Sequence, residues 1–249
     1  MRGCEQKEMD GVLVKNVSDR LTGFQLAGPK AREILQTCTR DDISDMAFMD
    51  VRPLTVGMVD CLVQRVSYTG DLGFEIFCDP MAQRALWQTL WEAGEPLGMR
   101  PFGMRALMSL RLEHFFRSWL SEYSPDYTAA ETGLDRFIAF KKQEDFIGRA
   151  AAEHDKEVGP DRRLWAFEVN SDGADEPASG QIWLDGEVVG FCTSGGYAHN
   201  AKKSVAIGFV PTERISDDLE VEIEILGKMR PARLLSKPLF DGDGARMKG

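Results

Sequence analysis

Residues Arg65-Val66-Ser67-Tyr68-Thr69-Gly70-Asp71-Leu72-Gly73-Phe74-Glu75-Ile76 decide how this chain reads. β-rich flanks surround a Thr-Gly-Asp-Leu-Gly loop. Its glycines tolerate positive φ, and its aspartate suits local bonding from side chain to backbone. The stretch therefore predicts an antiparallel hairpin, Leu62 to Tyr68 pairing with Phe74 to Cys78. A phenol (Tyr68) and a carboxylate (Glu75) stand on either side of the turn. They offer a ligand one donor/acceptor and one strong acceptor. An ordinary exposed hairpin with a partly buried tyrosine is the other reading, and the loop alone does not choose between them.

Upstream of the hairpin, apolar residues alternate from Gly11 to Val17 and again from Gly23 to Ala27. They predict two short strands around an Asp-Arg turn. Met1 to Asp10 is polar and aperiodic and reads as a tail. Gly28-Pro29 opens a helix through Thr37 with Ala31, Ile34 and Leu35 on one face. Downstream, Asp79-Pro80 combines an N-cap carboxylate with a proline and starts a helix running to about Ala93. Pro101 starts another over Phe102 to Glu113, with Leu107, Met108 and Leu110 turned inward.

His154 to Arg163 is charged, carries Gly159-Pro160, and reads as a linker. Beyond it, six strands are predicted: Trp165 to Val169, Gln181 to Leu184, Val188 to Thr193, Ser204 to Val210, Glu220 to Ile225 and Met229 to Leu235. Asp185-Gly186 is a type I′ hairpin turn between two of them. Short strands so closely spaced imply a small antiparallel barrel or sandwich. The layout is a tail (1–10), an α+β domain (11–155) with an antiparallel sheet and packed helices, and a β domain (156–249). No G-x-G-x-x-G or Walker-type loop supports a dinucleotide or phosphate-loop fold.

Composition narrows the function. A net charge of −10, with basic residues scattered, argues against nucleic acid as a partner. The cysteines (Cys4, Cys38, Cys61, Cys78, Cys192) show no C-x-x-C pair, which fits free thiols in a reducing cytoplasm or a mitochondrial matrix. His114, His154 and His199 lie too far apart for a ligand motif, so no metal is expected. No window is apolar enough for a membrane span, and the N-terminus lacks an apolar signal core.

The opening stretch also resembles the R-x-x-Y-T-G-E-x-G-[FW]-E-[IL] segment of the folate-binding aminomethyltransferase family, the glycine cleavage T-protein and its relatives. Further segments resemble that family in the same order: Leu26 to Ala31, Ser109 to Glu113, Glu131 to Leu134, Asp145 to Arg149, Thr193 to Tyr197 and Ile207 to Pro211. Phe116-Arg117-Ser118-Trp119 and Lys228 to Ala232 are most similar to the folate domains of dimethylglycine and sarcosine dehydrogenases. The resemblance implies the family's folate-binding α+β domain, N-terminally truncated, followed by a β-barrel. It implies tetrahydrofolate as cofactor, with Tyr68, Glu75, Glu131, Arg149, Tyr197 and Arg230 as candidate binding residues. The activity it implies is one-carbon (aminomethyl or methyl) transfer from a small-molecule amine or methyl donor, with a flavoprotein or other protein as partner.

The departures from the family bear on catalysis. The N-terminal third of the family fold, which carries the catalytic aspartate, has no counterpart here, and Asp41-Asp42 sit in a polar loop and do not inherit the role. No catalytic residue is assigned. Thr128-Ala129-Ala130 lacks the family's proline, and Asp71 replaces a glutamate. Glu131 reads equally as a folate ligand or a helix-capping carboxylate, and Arg111 and Glu113 as a structural ion-pair set. A non-catalytic folate-binding or interaction module, or an inactive fragment lacking the catalytic carboxylate, is the alternative to an enzyme.

Overall fold

The computed structural model describes residues 15–172 and 179–248, so the expected tail and the start of the strand expected at Gly11 lie outside the described residues. Residues 15–17 are not in a strand, and a turn follows in which the Arg20 N–H donates to the Val17 carbonyl at 2.9 Å. The chain forms two compact units. One comprises residues 15–67, Asp71–Pro101 and 246–248; the other comprises Tyr68–Gly70 and Phe102–Ala245. Among the described residues no helix is long and apolar enough to cross a membrane.

The first unit contains β1 (Thr22–Ala27), α1 (Ala31–Cys38), β2 (Val51–Val56), β3 (Val59–Gln64), β4 (Gly73–Cys78) and α2 (Gln83–Gly94). Its antiparallel sheet runs β1-β4-β3-β2. The expected hairpin is present, with Leu62 opposite Phe77 and Gln64 opposite Glu75. It ends earlier than expected because Arg65 leaves the ladder: its N–H donates to the Asp50 carbonyl at 2.8 Å and its carbonyl accepts from the Met49 N–H at 3.0 Å. Strand β2 was not expected. Pro53 within Val51–Val56 argues against a central strand, and the structure resolves the conflict by placing β2 at the sheet edge.

Period-two alternation turns Val59, Cys61 and Val63 of β3, and Phe74, Ile76 and Cys78 of β4, into one core. Ala31, Ile34 and Leu35 of α1 and Leu86 and Leu90 of α2 complete it. A fully buried side chain such as Leu35, Ile76 or Leu86 contributes about 2 kcal/mol each. Asp79 caps as expected, accepting from the Met81 N–H at 2.8 Å, and Pro80 opens a single 3₁₀ turn ahead of α2. Arg65 is fully buried with its guanidinium 5.6 Å from the centre of the Phe74 ring.

The second unit contains α3 (Met104–Glu113), α4 (Ala129–Thr132), α5 (Arg149–Val158) and strands β5 (Arg162–Val169), β6 (Gln181–Leu184), β7 (Glu187–Ala198), β8 (Lys203–Pro211), β9 (Glu220–Ile225) and β10 (Lys228–Leu235). The strands close into a barrel in the order β10-β5-β8-β7-β6-β9. Phe167, Ile182, Ala206 and Ile223, all 0% exposed, lie in its core. Asp185 (φ 52°) and Gly186 (φ 81°) form the expected type I′ turn. Leu226 (φ 50°) and Gly227 (φ 75°) likewise both take positive φ between β9 and β10. The expected linker is instead helical through Val158. Its charges suit an exposed helix, and Arg149 and Glu153 pair at 2.8 Å across one turn.

Candidate functional site

A cavity of about 950 Å³ opens in the barrel unit, walled by α3, the 118–121 turn and the second half of β7. That volume suits a medium-sized organic ligand. Helix α3 shapes one wall because its amphipathic pattern is only partly satisfied. Arg111, Leu112 and Glu113 are buried, whereas Met104 is 70% exposed and Met108 and Leu110 are half-buried on the cavity side. The expectation that Leu107, Met108 and Leu110 point into a core is therefore corrected. Ser109 donates from Oγ to the Tyr197 carbonyl at 2.7 Å, which ties α3 to β7. Tyr197 stands edge-on to His199 at 5.1 Å, and both line the cavity. Arg105 is an exposed cation on the same wall.

A buried ionic network underlies these walls, and Arg111 and Ser194 within it also line the cavity. Arg111, 2% exposed, donates from Nη2 to Ser194 Oγ at 2.8 Å and from Nη1 to the Phe116 carbonyl at 2.9 Å. Its Nη1 lies 3.7 Å from the Glu122 carboxylate. Glu122 is 0% exposed and accepts from the Ser118 N–H at 2.6 Å, from Ser121 Oγ at 2.9 Å, and from Ser194 Oγ. Burial alone would push its carboxyl upward, but the hydrogen bonds, that from Ser194 foremost and those from Ser118 and Ser121 with it, outweigh burial and hold it below the ordinary glutamate value. Glu113 accepts the Asn200 backbone N–H and side-chain amide, each at 2.7 Å, docking the end of α3 on the barrel. Arg111 makes the expected ion pair, with Glu122, and also lines the cavity, whereas Glu113 takes hydrogen bonds from Asn200.

The expected binding residues do not converge on this cavity. Tyr197 lines it. Tyr68 belongs to the same unit; its hydroxyl donates to the Arg117 carbonyl at 2.7 Å and its ring stacks on Phe116 at 6.1 Å. Burial pushes the Tyr68 phenol upward, and Glu122 adds to that effect while Arg111 opposes it. Glu75 belongs to the sheet unit, half-buried, accepting from Gln25 Nε2 at 3.2 Å. Glu131 has both oxygens engaged: Oε2 accepts from the Thr128 N–H and Oε1 from Arg162 Nε, each at 2.7 Å. Arg149 serves the carbonyls of Phe140, Lys142 and Glu144, and Arg230 pairs with Asp172. Glu131, Arg149 and Arg230 are each hydrogen-bonded or ion-paired within the fold, and none of them lines this cavity.

Sequence reasoning missed Glu122 and Arg105. Glu122 sits in a polar Ser-rich stretch that gives no sign of burial. Arg105 opens a helix with no motif around it.

A family model described as the GCVT N-terminal domain matches residues 2–142, and one described as the glycine cleavage T-protein C-terminal barrel domain matches residues 162–241. The chain belongs to the glycine cleavage T-protein family. Within that family, mitochondrial dimethylglycine dehydrogenase of Rattus norvegicus is 37% identical over 96% of this chain and 28% of its own length. The aminomethyltransferase of Alkaliphilus metalliredigens is 34% identical over 92% of this chain and 62% of its own length. The glycine cleavage system aminomethyltransferase T of Bartonella henselae superposes with a TM-score of 0.79 at 25% identity, covering 89% of this chain and 60% of that structure. The chain thus spans less than two thirds of each of these relatives. The family models divide between residues 142 and 162, where α5 lies, whereas the compact units divide at Pro101/Phe102.

Proposed function

We propose that the barrel-unit cavity binds a reduced folate and that the chain takes part in tetrahydrofolate-dependent transfer of an aminomethyl or methyl group from a small-molecule amine or methyl donor. The observation that carries this reading is the cavity lining, in a chain of the T-protein family. Met104, Met108 and Leu110 give apolar walls for a flat heterocycle, and Tyr197 adds an aromatic surface with a polar tip. Arg105, which has no ion-pair partner among the described residues, would take the anionic tail. Tyr68, in the same unit, is proposed as a further polar group toward the folate. Bound there, the folate supplies the nitrogen that accepts the one-carbon unit; the protein's task is alignment and exclusion of water.

No acid/base residue is assigned. A non-catalytic folate-binding module is the second reading, and one observation favours it: the residues lining the cavity include no Asp or Glu. A dehydrogenase acting on a methylated amine is the partner class the relatives favour.

Calorimetric titration with 5-formyltetrahydrofolate tests the binding reading. Micromolar affinity that falls by about tenfold or more in both Arg105→Ala and Tyr197→Ala supports it; no heat from a folded sample removes it. Turnover of a methylated amine in the presence of tetrahydrofolate then separates enzyme from module.

A further inference from the structure

We propose that Glu122 is the positioning residue of this cavity: its carboxylate holds the 118–121 turn and strand β7 at a fixed spacing, and that spacing sets ligand affinity. The identity of the ligand rests on the folate reading above; the positioning rests on geometry.

Glu122 reaches both walls from behind. On the turn side it accepts from the Ser118 N–H and Ser121 Oγ; on the β7 side it accepts from Ser194 Oγ. All three donors belong to residues that line the cavity, and Glu122 does not. Strand β7 slips register against β8 between Cys192 and Ser194, so Thr193 is an extra residue there. Such a bulge re-aims the side chains that follow, and Thr193 Oγ1 ties it to the Ile207 carbonyl of β8 at 3.2 Å. Glu122 adds the tie from the turn, and Arg111, donating to Ser194 from α3, closes the network.

The same geometry argues against Glu122 as a proton-transfer group. It is fully buried, both its oxygens accept hydrogen bonds, and those bonds favour the ionised form. Glu122→Gln keeps the shape but has one acceptor oxygen and a donating amide facing donors. One of its two ties, to the turn or to β7, is lost or becomes a neutral hydrogen bond.

Hydrogen exchange on the full chain without ligand, paired with titration by 5-formyltetrahydrofolate, tests the proposal. In Glu122→Gln, amide exchange at one wall, 118–121 or 193–195, rises about tenfold or more, while β9 and β10 keep wild-type protection. Folate affinity falls by about tenfold, the loss of one charge-assisted hydrogen bond. Glu122→Asp recovers part of both. Ser194→Ala loosens only 193–195 and carries the test if Glu122→Gln does not fold. Wild-type exchange at both walls in Glu122→Gln, or loosened walls with undiminished folate affinity, overturns the proposal. Loosened walls in a chain whose wild type takes up no folate remove the folate reading and support the positioning role.

Discussion

Replacing Glu131 by alanine separates a ligand role from a structural one. Both carboxylate oxygens are engaged within the fold: Oε2 completes a reciprocal capping box with Thr128 at the start of α4, and Oε1 meets Arg162 at 2.7 Å. Loss of one capping hydrogen bond costs about 1 kcal/mol. The ion pair, with Glu131 14% and Arg162 40% exposed, adds up to about 1 kcal/mol after screening by solvent. The sum is about 1–2 kcal/mol, equivalent to a fall in Tm of about 2–8 °C for a chain of this size. Differential scanning calorimetry and denaturant titration measure it directly. Glu131→Gln, which keeps one acceptor for the Thr128 N–H, should lose about half as much. Folate titration of the same variants should give wild-type affinity. Unchanged stability with a collapse in affinity would refute the reasoning and return Glu131 to the ligand site.

Gly70→Ala should destabilise by about 2–4 kcal/mol, since the residue sits at φ 81° and a Cβ would stand 2.0 Å from the His114 ring; a melt within 1 °C of wild type, about the resolution of the method, would contradict the packing. Acid titration should show a contribution from Glu122. Its folded value lies below the ordinary 4.5, so its stabilisation is complete above that pH and fades as pH falls through the folded value. The stability gap between wild type and Glu122→Gln should therefore narrow in acid, and a gap that widens on acidification reverses the sign. Burial pushes the Cys192 thiol up to about 12 and the Cys61 thiol to about 11, so Cys38, Cys61, Cys78 and Cys192 should resist Ellman's reagent at neutral pH until the protein unfolds. Rapid modification of any of these four in the native state would contradict their burial.

Much of the fold was legible because local chemistry and tertiary structure agree. Asp185-Gly186 and Asp79-Pro80 each name their element without help from distant residues. Pro53 hid an edge strand, because a proline argues against a ladder partner unless the sheet ends there. Leu226-Gly227 hid a turn, because leucine rarely takes positive φ. The charged run before Gly159 reads as a linker or an exposed helix equally well, and only packing decides. The site was less legible for the same reason. Glu131, Arg149 and Arg230 carry the right chemistry for a ligand, yet nearby backbone and side chains use it first. Glu122 is identified only by three serines that converge on it from two elements, the 118–121 turn and β7.

Amide chemical-shift mapping of the labelled chain with 5-formyltetrahydrofolate tests the central claim most directly. The account predicts perturbations concentrated in residues 104–111, 118–121 and 193–199. Perturbations centred instead on the groove around Trp183 and Glu222 on the barrel, or none at saturating ligand, would contradict it.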